Sequence, residues 1–90
     1  MDYKTFVDKS EQLRIEREQL IDELVSVMGG KVRYYSILAI ADECKPFFSD
    51  NIPKQILDIL RNETELNIYK KIVDNKIAFD DIWSQYRTGA

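Results

Sequence analysis

The 90-residue sequence contains no histidine and a single cysteine, Cys44. A catalytic histidine and a zinc site of histidines and cysteines are therefore excluded, and one cysteine cannot form an intramolecular disulfide. The clustered acidic residues are sequence neighbours, which on a helix point about 100° apart and do not converge on one substrate atom. We therefore expect no catalytic residues, no metal site and no cofactor, and the protein is not expected to be an enzyme.

Long apolar runs and basic segments are also missing. No run approaches the roughly 20 apolar residues that cross a bilayer, and the first residues lack the basic start of a secretory signal. Lysine and arginine number 13 against 16 acidic residues, for a net charge of −3, and no segment is strongly basic. Because nucleic-acid binding normally needs a basic face, nucleic acid is disfavoured as a partner. We expect a cytoplasmic protein with no membrane association.

What the sequence does contain is helical periodicity, and no convincing segment alternates with a period of two. Hydrophobic residues make up 44% and charged residues 32%, as in ordinary globular proteins. The pattern predicts an all-α fold: one domain over residues 1–90, without a linker, built as a small bundle of four or five helices. A long first helix, from about residue 5 to 28, is expected to end at Gly29-Gly30, since glycine adopts the left-handed conformation that closes a helix.

The first helix would be about 36 Å long, which exceeds the roughly 30 Å diameter of a compact domain of this size. Part of it is therefore expected to protrude or to meet another chain. One apolar seam repeats every seven residues through Phe6, Leu13, Leu20 and Val27, with Ser10 and Arg17 interrupting it. This spacing predicts a homodimer formed through the N-terminal helix.

The remaining helices are predicted from caps and breaks. A second helix should run from about Lys31 to Cys44 and end before Pro46, and a third should begin with Asn51 as its cap. Thr64 could cap a fourth helix, although one continuous helix to Val73 is the alternative. A polar break at residues 74–76 and a short last helix over 79–86 complete the pattern. The core is expected to include Leu38, Ile56 and Ile72.

By elimination, the most favoured function is binding to another protein, as a small inhibitor, immunity protein, adaptor or anti-defence factor. The acidic first helix would suit a partner with a basic surface. The candidate binding residues are the charged face of the first helix and the basic and aromatic stretch that follows the glycine pair: Glu11, Arg14, Glu16, Glu18, Arg33 and Tyr34.

A DNA-binding regulator of the helix-turn-helix type is the alternative function, since residues 53–60, the turn at 62–64 and the helix from 65 to 73 have suitable lengths. Three features of the sequence do not fit this motif. Asp58 occupies the position where the two helices should pack, the turn lacks glycine, and Glu63 and Glu65 at the start of the reading helix would repel phosphate.

Overall fold

The computed structural model describes residues 2–43 and 52–88, and within these ranges it contains four helices and no strand. They are α1 (Tyr3–Met28), α2 (Val32–Glu43), α3 (Lys54–Ile59) and α4 (Glu63–Arg87). The predicted all-α fold with a long N-terminal helix is confirmed. Over residues 2–43 and 52–88, no helix combines the length and the apolar composition of a membrane span.

Both ends of α1 are set by local chemistry. At the start, a carboxylate oxygen of Asp2 accepts a 2.7 Å hydrogen bond from the Thr5 backbone N–H, which satisfies one of the unpaired donors of the first turn. At the end, Gly29 has a φ of 80° and Gly30 a φ of 144°. A Cβ at either position would meet open space, so the backbone conformation and not crowding requires glycine there.

The length of α1 is matched by α4, which has 25 residues and runs antiparallel to it. Phe6 near the start of α1 stacks on Tyr86 near the end of α4, and the Leu13 carbonyl accepts a hydrogen bond from Asn75 at mid-length. The part of α1 that was expected to protrude or to meet another chain therefore packs against α4 of the same chain. The molecule is elongated, with dimensions of 42 × 23 × 19 Å.

The predicted apolar seam of α1 packs against other helices of the same chain. Phe6 is 7% exposed, Leu20 packs against the core, and α4 is the main packing partner of α1. Val27, the last member of the predicted heptad pattern, is 43% exposed. Dimerisation remains a prediction, but a dimer would need a face of α1 other than this seam.

Two predicted helix boundaries are wrong. The fourth helix begins at Glu63, capped by Asn62, whose side-chain oxygen accepts from the Glu65 backbone N–H at 2.9 Å; Thr64 lies inside the helix. The predicted break at residues 74–76 does not exist, because Asn75 is 4% exposed and its amide donates to the Leu13 carbonyl at 3.0 Å. Packing on α1 thus overrides the weak helix propensity of this stretch.

Helices α3 and α4 are separate, so the alternative of one continuous helix to Val73 is also wrong. The chain leaves α3 at Leu60, which has an extended backbone with a ψ of 117°. Pro53 precedes α3 without a side-chain cap. The predicted cap Asn51, together with Cys44 and Pro46, lies outside the described residues.

Most of the core lies at one end of the α1/α4 pair, where α2 and α3 pack against it. We call this end the head, and we call the two-helix remainder, residues 3–17 and 75–87, the arm. In the head, Ile56 and Ile72 are buried, which confirms two of the three predicted core positions. Ile37, which was not among them, is almost fully buried as well. Leu38 is 42% exposed, so its assignment to the core was wrong: Tyr34 and Ile37 turn inward instead.

Candidate protein-binding surfaces

The outer side of α2 presents large apolar residues to solvent. Val32 is 81% exposed, Tyr35 58% and Leu38 42%, and Ala39 beside them is also exposed. Their spacing of three to four residues places them on one side of the helix. We call these four residues the α2 face. Ser36 is also exposed on this side, between Val32 and Ala39. Exposed apolar residues clustered in this way are more typical of a contact surface than of ordinary protein surface.

A small cavity of about 70 Å³ adjoins the α2 face at Leu38. It lies between α2 and α4, and its lining is predominantly apolar: Tyr34, Ile37, Leu38, Ala41, Tyr69, Ile72, Val73 and Lys76. Since about 10–15 Å³ of such space holds one water molecule, the cavity has room for a small aliphatic group. The arrangement can accept an apolar side chain beside an exposed tyrosine and leucine.

Arg33, one of the predicted binding residues, is engaged within the molecule. Its guanidinium donates to both carboxylate oxygens of Glu65, at 2.7 and 3.2 Å, and also to the carbonyls of Ile59 and Met28 at 3.1 and 2.9 Å. Glu65 is 2% exposed, and the hydrogen bonds from Arg33 hold the pKa of its carboxyl below the usual value despite burial. Arg33 thus has a clear structural role.

Tyr34 is 8% exposed and is part of the core. Burial raises the pKa of its hydroxyl. Its neighbour Tyr35 is the tyrosine that faces solvent, with the two rings 6.5 Å apart. The sequence predicted Tyr34 as the contact residue, whereas the structure buries Tyr34 and exposes Tyr35. The available signal was the spacing of three to four residues that puts Tyr34 on the same side of α2 as Ile37 and Ala41, the side that faces α4.

The charged residues predicted on α1 are all exposed. The Arg14 guanidinium lies between Glu11 and Glu18, forming ion pairs with both, and its hydrogen bonds lower the pKa of Glu11. Glu16 is exposed on the same helix. These residues lie in or next to the arm, and by helical rise Glu11 is about 27 Å along α1 from the turn that precedes Arg33. The structure therefore does not bring the six predicted residues together, and their role in binding remains a prediction.

Aromatic side chains gather at the tip of the arm. The Phe6 ring lies 4.3 Å from that of Tyr86 in a stacked arrangement and 4.8 Å from that of Trp83 edge-on. The Arg17 guanidinium lies 5.0 Å from the Phe79 ring centre. Trp83 is 38% exposed. Because the rings mainly contact one another, this cluster is best explained as the packing that closes the arm.

No group of three or more potential metal ligands occurs among the described residues. Comparisons with known proteins give no further guidance: no protein-family model, curated protein or solved structure matches this chain.

Proposed function

We propose that the protein acts by binding another protein, as a small inhibitor or adaptor, and that the α2 face is its contact surface. The observation that carries this proposal is the solvent exposure of Val32, Tyr35 and Leu38 on one side of a helix. Tyrosine is enriched among the residues that dominate binding energy, and apolar neighbours exclude water around it. Burying these side chains would remove the largest exposed apolar residues of α2 from water.

The partner surface that suits this site is an amphipathic helix. Its apolar stripe would lie along the α2 face, and an aliphatic side chain would enter the cavity beside Leu38. The net charge of the chain is −3, with 16 acidic against 13 basic residues. This excess of negative charge favours a partner with basic residues beside its apolar stripe, because it would speed the encounter.

A DNA-binding regulator is the less favoured function. In a helix-turn-helix arrangement α4 would be the reading helix, and its first turn carries Glu63 and Glu65. The Glu65 carboxylate is held by Arg33, and Glu63 is exposed where a phosphate would lie. The acidic start of α4 therefore argues against phosphate contact.

The experiment is affinity purification from cells of the source organism with the tagged wild-type protein and with a Tyr35→Ser, Leu38→Ser variant. A matched control carries Tyr3→Ser and Leu57→Ser, which change two exposed residues of the same types in α1 and α3. We expect one protein to be enriched by the wild type and the control but not by the α2 variant. That protein, once purified, should bind the wild type in a defined stoichiometry.

Two results would overturn the proposal. One is equal enrichment of every co-purified protein by the α2 variant and the wild type, with both variants as helical as the wild type. The other is salt-dependent binding of the purified protein to random duplex DNA, measured by fluorescence anisotropy, without an enriched protein partner, which would favour the DNA-binding alternative.

A further inference from the structure

The arm carries an open groove on one flank of the α1/α4 pair. Its lining combines apolar residues with charged and amide side chains: Lys9, Gln12, Leu13, Ile15, Glu16 and Gln19 from α1, and Ala78 and Ile82 from α4. Ile15 is 44% exposed. In the head, α2 and α3 complete the packing around α1 and α4, whereas in the arm the described helices form only a two-helix layer. Helical layers of this kind are normally completed by further helices.

Two opposite charges flank the middle of this groove. Lys9 and Glu16 are exposed and seven residues apart, so they lie on nearly the same side of α1 with their Cα atoms about 10.5 Å apart. Neither forms an ion pair among the described residues, in contrast to Glu11 and Glu18, which pair with Arg14. The midpoint between the two charges falls between Gln12 and Leu13.

This placement is self-complementary. A twofold axis through the Gln12–Leu13 midpoint, perpendicular to α1, would put Lys9 of one copy opposite Glu16 of the other, and the reverse. We propose that the groove binds a second copy of this chain, with the two α1 helices antiparallel and the two arms together forming a four-helix bundle. The dimer predicted from the sequence would thus form through this flank and not through the seam that packs on α4.

The footprint of such a dimer is small. With the axis between Gln12 and Leu13, residues 8–17 of one α1 face residues 8–17 of the other over about 15 Å, and two adjacent helices are about 20 Å wide. This footprint, on the order of 300 Å², is smaller than the roughly 800 Å² per partner of a standard interface, so we expect a weak dimer in the micromolar range. The α2 face belongs to the head, so the dimer leaves the site of the proposed function accessible, and each proposal can fail without the other.

The test is sedimentation equilibrium over micromolar concentrations, with charge variants of Lys9 and Glu16. The wild type should approach twice 10.6 kDa as concentration rises. Lys9→Glu alone, or Glu16→Lys alone, places like charges opposite each other at both contacts and should weaken the dimer by at least about tenfold. The double variant, Lys9→Glu with Glu16→Lys, restores both pairs and should dimerise like the wild type.

Two further samples complete the design. An equimolar mixture of the two single variants should form a heterodimer, because each supplies the charges that the other lacks. Asp22→Lys, a charge reversal of an exposed α1 residue that does not line the groove, is the matched control and should leave the dimer unchanged. A wild type that remains at 10.6 kDa overturns the proposal, as do single variants that dimerise like the wild type or a double variant that is not rescued.

Discussion

The Arg33 guanidinium and the Glu65 carboxylate form a bidentate ion pair, with N···O distances of 2.7 and 3.2 Å, between the start of α2 and the start of α4. The same guanidinium donates to the last carbonyl of α1, Met28, and to that of α3, Ile59. The Arg61 backbone N–H donates to Glu65 at 3.2 Å. This single cluster therefore joins all four described helices in the head.

Removing one member of this pair should strongly destabilise the fold. Glu65→Gln leaves the guanidinium without its counter-charge and should lower the free energy of unfolding by about 3–5 kcal/mol. Glu63→Gln, at an exposed position two residues earlier in α4, is the matched control and should change it by less than about 0.5 kcal/mol. Chemical denaturation of both variants measures this difference. Equal denaturation midpoints for the two variants would show that the Arg33–Glu65 ion pair contributes little to stability.

The same carboxylate should make stability depend on pH. The folded-state pKa of Glu65 is lowered, chiefly by hydrogen bonds from Arg33, so the unfolded chain takes up its proton first as the pH falls. The stabilisation is complete above the unfolded value of about 4.3 and is lost as the pH falls below it toward the folded value. Denaturation from neutral to acidic pH should show the difference between wild type and Glu65→Gln shrinking below about pH 4. Parallel pH profiles would contradict this assignment.

Truncation of two neighbouring residues of α2, Ile37 and Leu38, should lower the free energy of unfolding by very different amounts. Ile37 is 1% exposed, and Ile37→Ala should cost about 2–5 kcal/mol by leaving a cavity in the core. Leu38→Ala removes a side chain that is 42% exposed and should cost less than about 1 kcal/mol. Urea denaturation of the two variants is the measurement. Equal losses would mean that the orientation of α2 is wrong.

Asn75 should tolerate an apolar replacement but not a charged one. Its side-chain oxygen is buried without a hydrogen-bond partner, while its amide donates to the Leu13 carbonyl. Asn75→Leu removes both polar groups and should change the free energy of unfolding by no more than about 1 kcal/mol. Asn75→Asp at neutral pH buries an unpaired charge and should cost at least about 3 kcal/mol.

The control for this pair is Asn67→Asp, which makes the same change at an exposed position of α4 and should be nearly neutral. Thermal denaturation of the three variants compares them. If Asn75→Asp were as stable as Asn67→Asp, the packing of α4 on α1 at mid-length would have to be different.

The sequence predicted the elements that local chemistry determines. The glycine pair after Met28 and the apolar spacing of α1 are local signals, and both correspond to the structure. The predicted break near Asn75 failed because that residue gains a buried contact with Leu13, which is 62 positions away and invisible to local propensity.

The candidate site was harder to predict, since exposure on α2 depends on tertiary packing. Both Tyr34 and Tyr35 fit a helical pattern, and packing against the rest of the core decides which one is buried. The ion pair of Arg33 with Glu65 joins residues 32 positions apart, so a basic residue that seemed free for a partner is engaged in the fold. The ion pair of Glu11 with Arg14 is different, because the two residues are three positions apart on one helix and such local pairs follow from sequence spacing.

The most direct test of the central claim, that the α2 face binds a protein partner, is the dissociation rate of the purified complex. Tyr35→Ala should dissociate at least about tenfold faster than the wild type, because a tyrosine buried at the interface contributes mainly to complex lifetime. Tyr3→Ala makes the same change at a tyrosine that is 67% exposed on the arm, and should dissociate like the wild type. If Tyr35→Ala, folded and helical, also dissociates at the wild-type rate, the α2 face is not the binding surface.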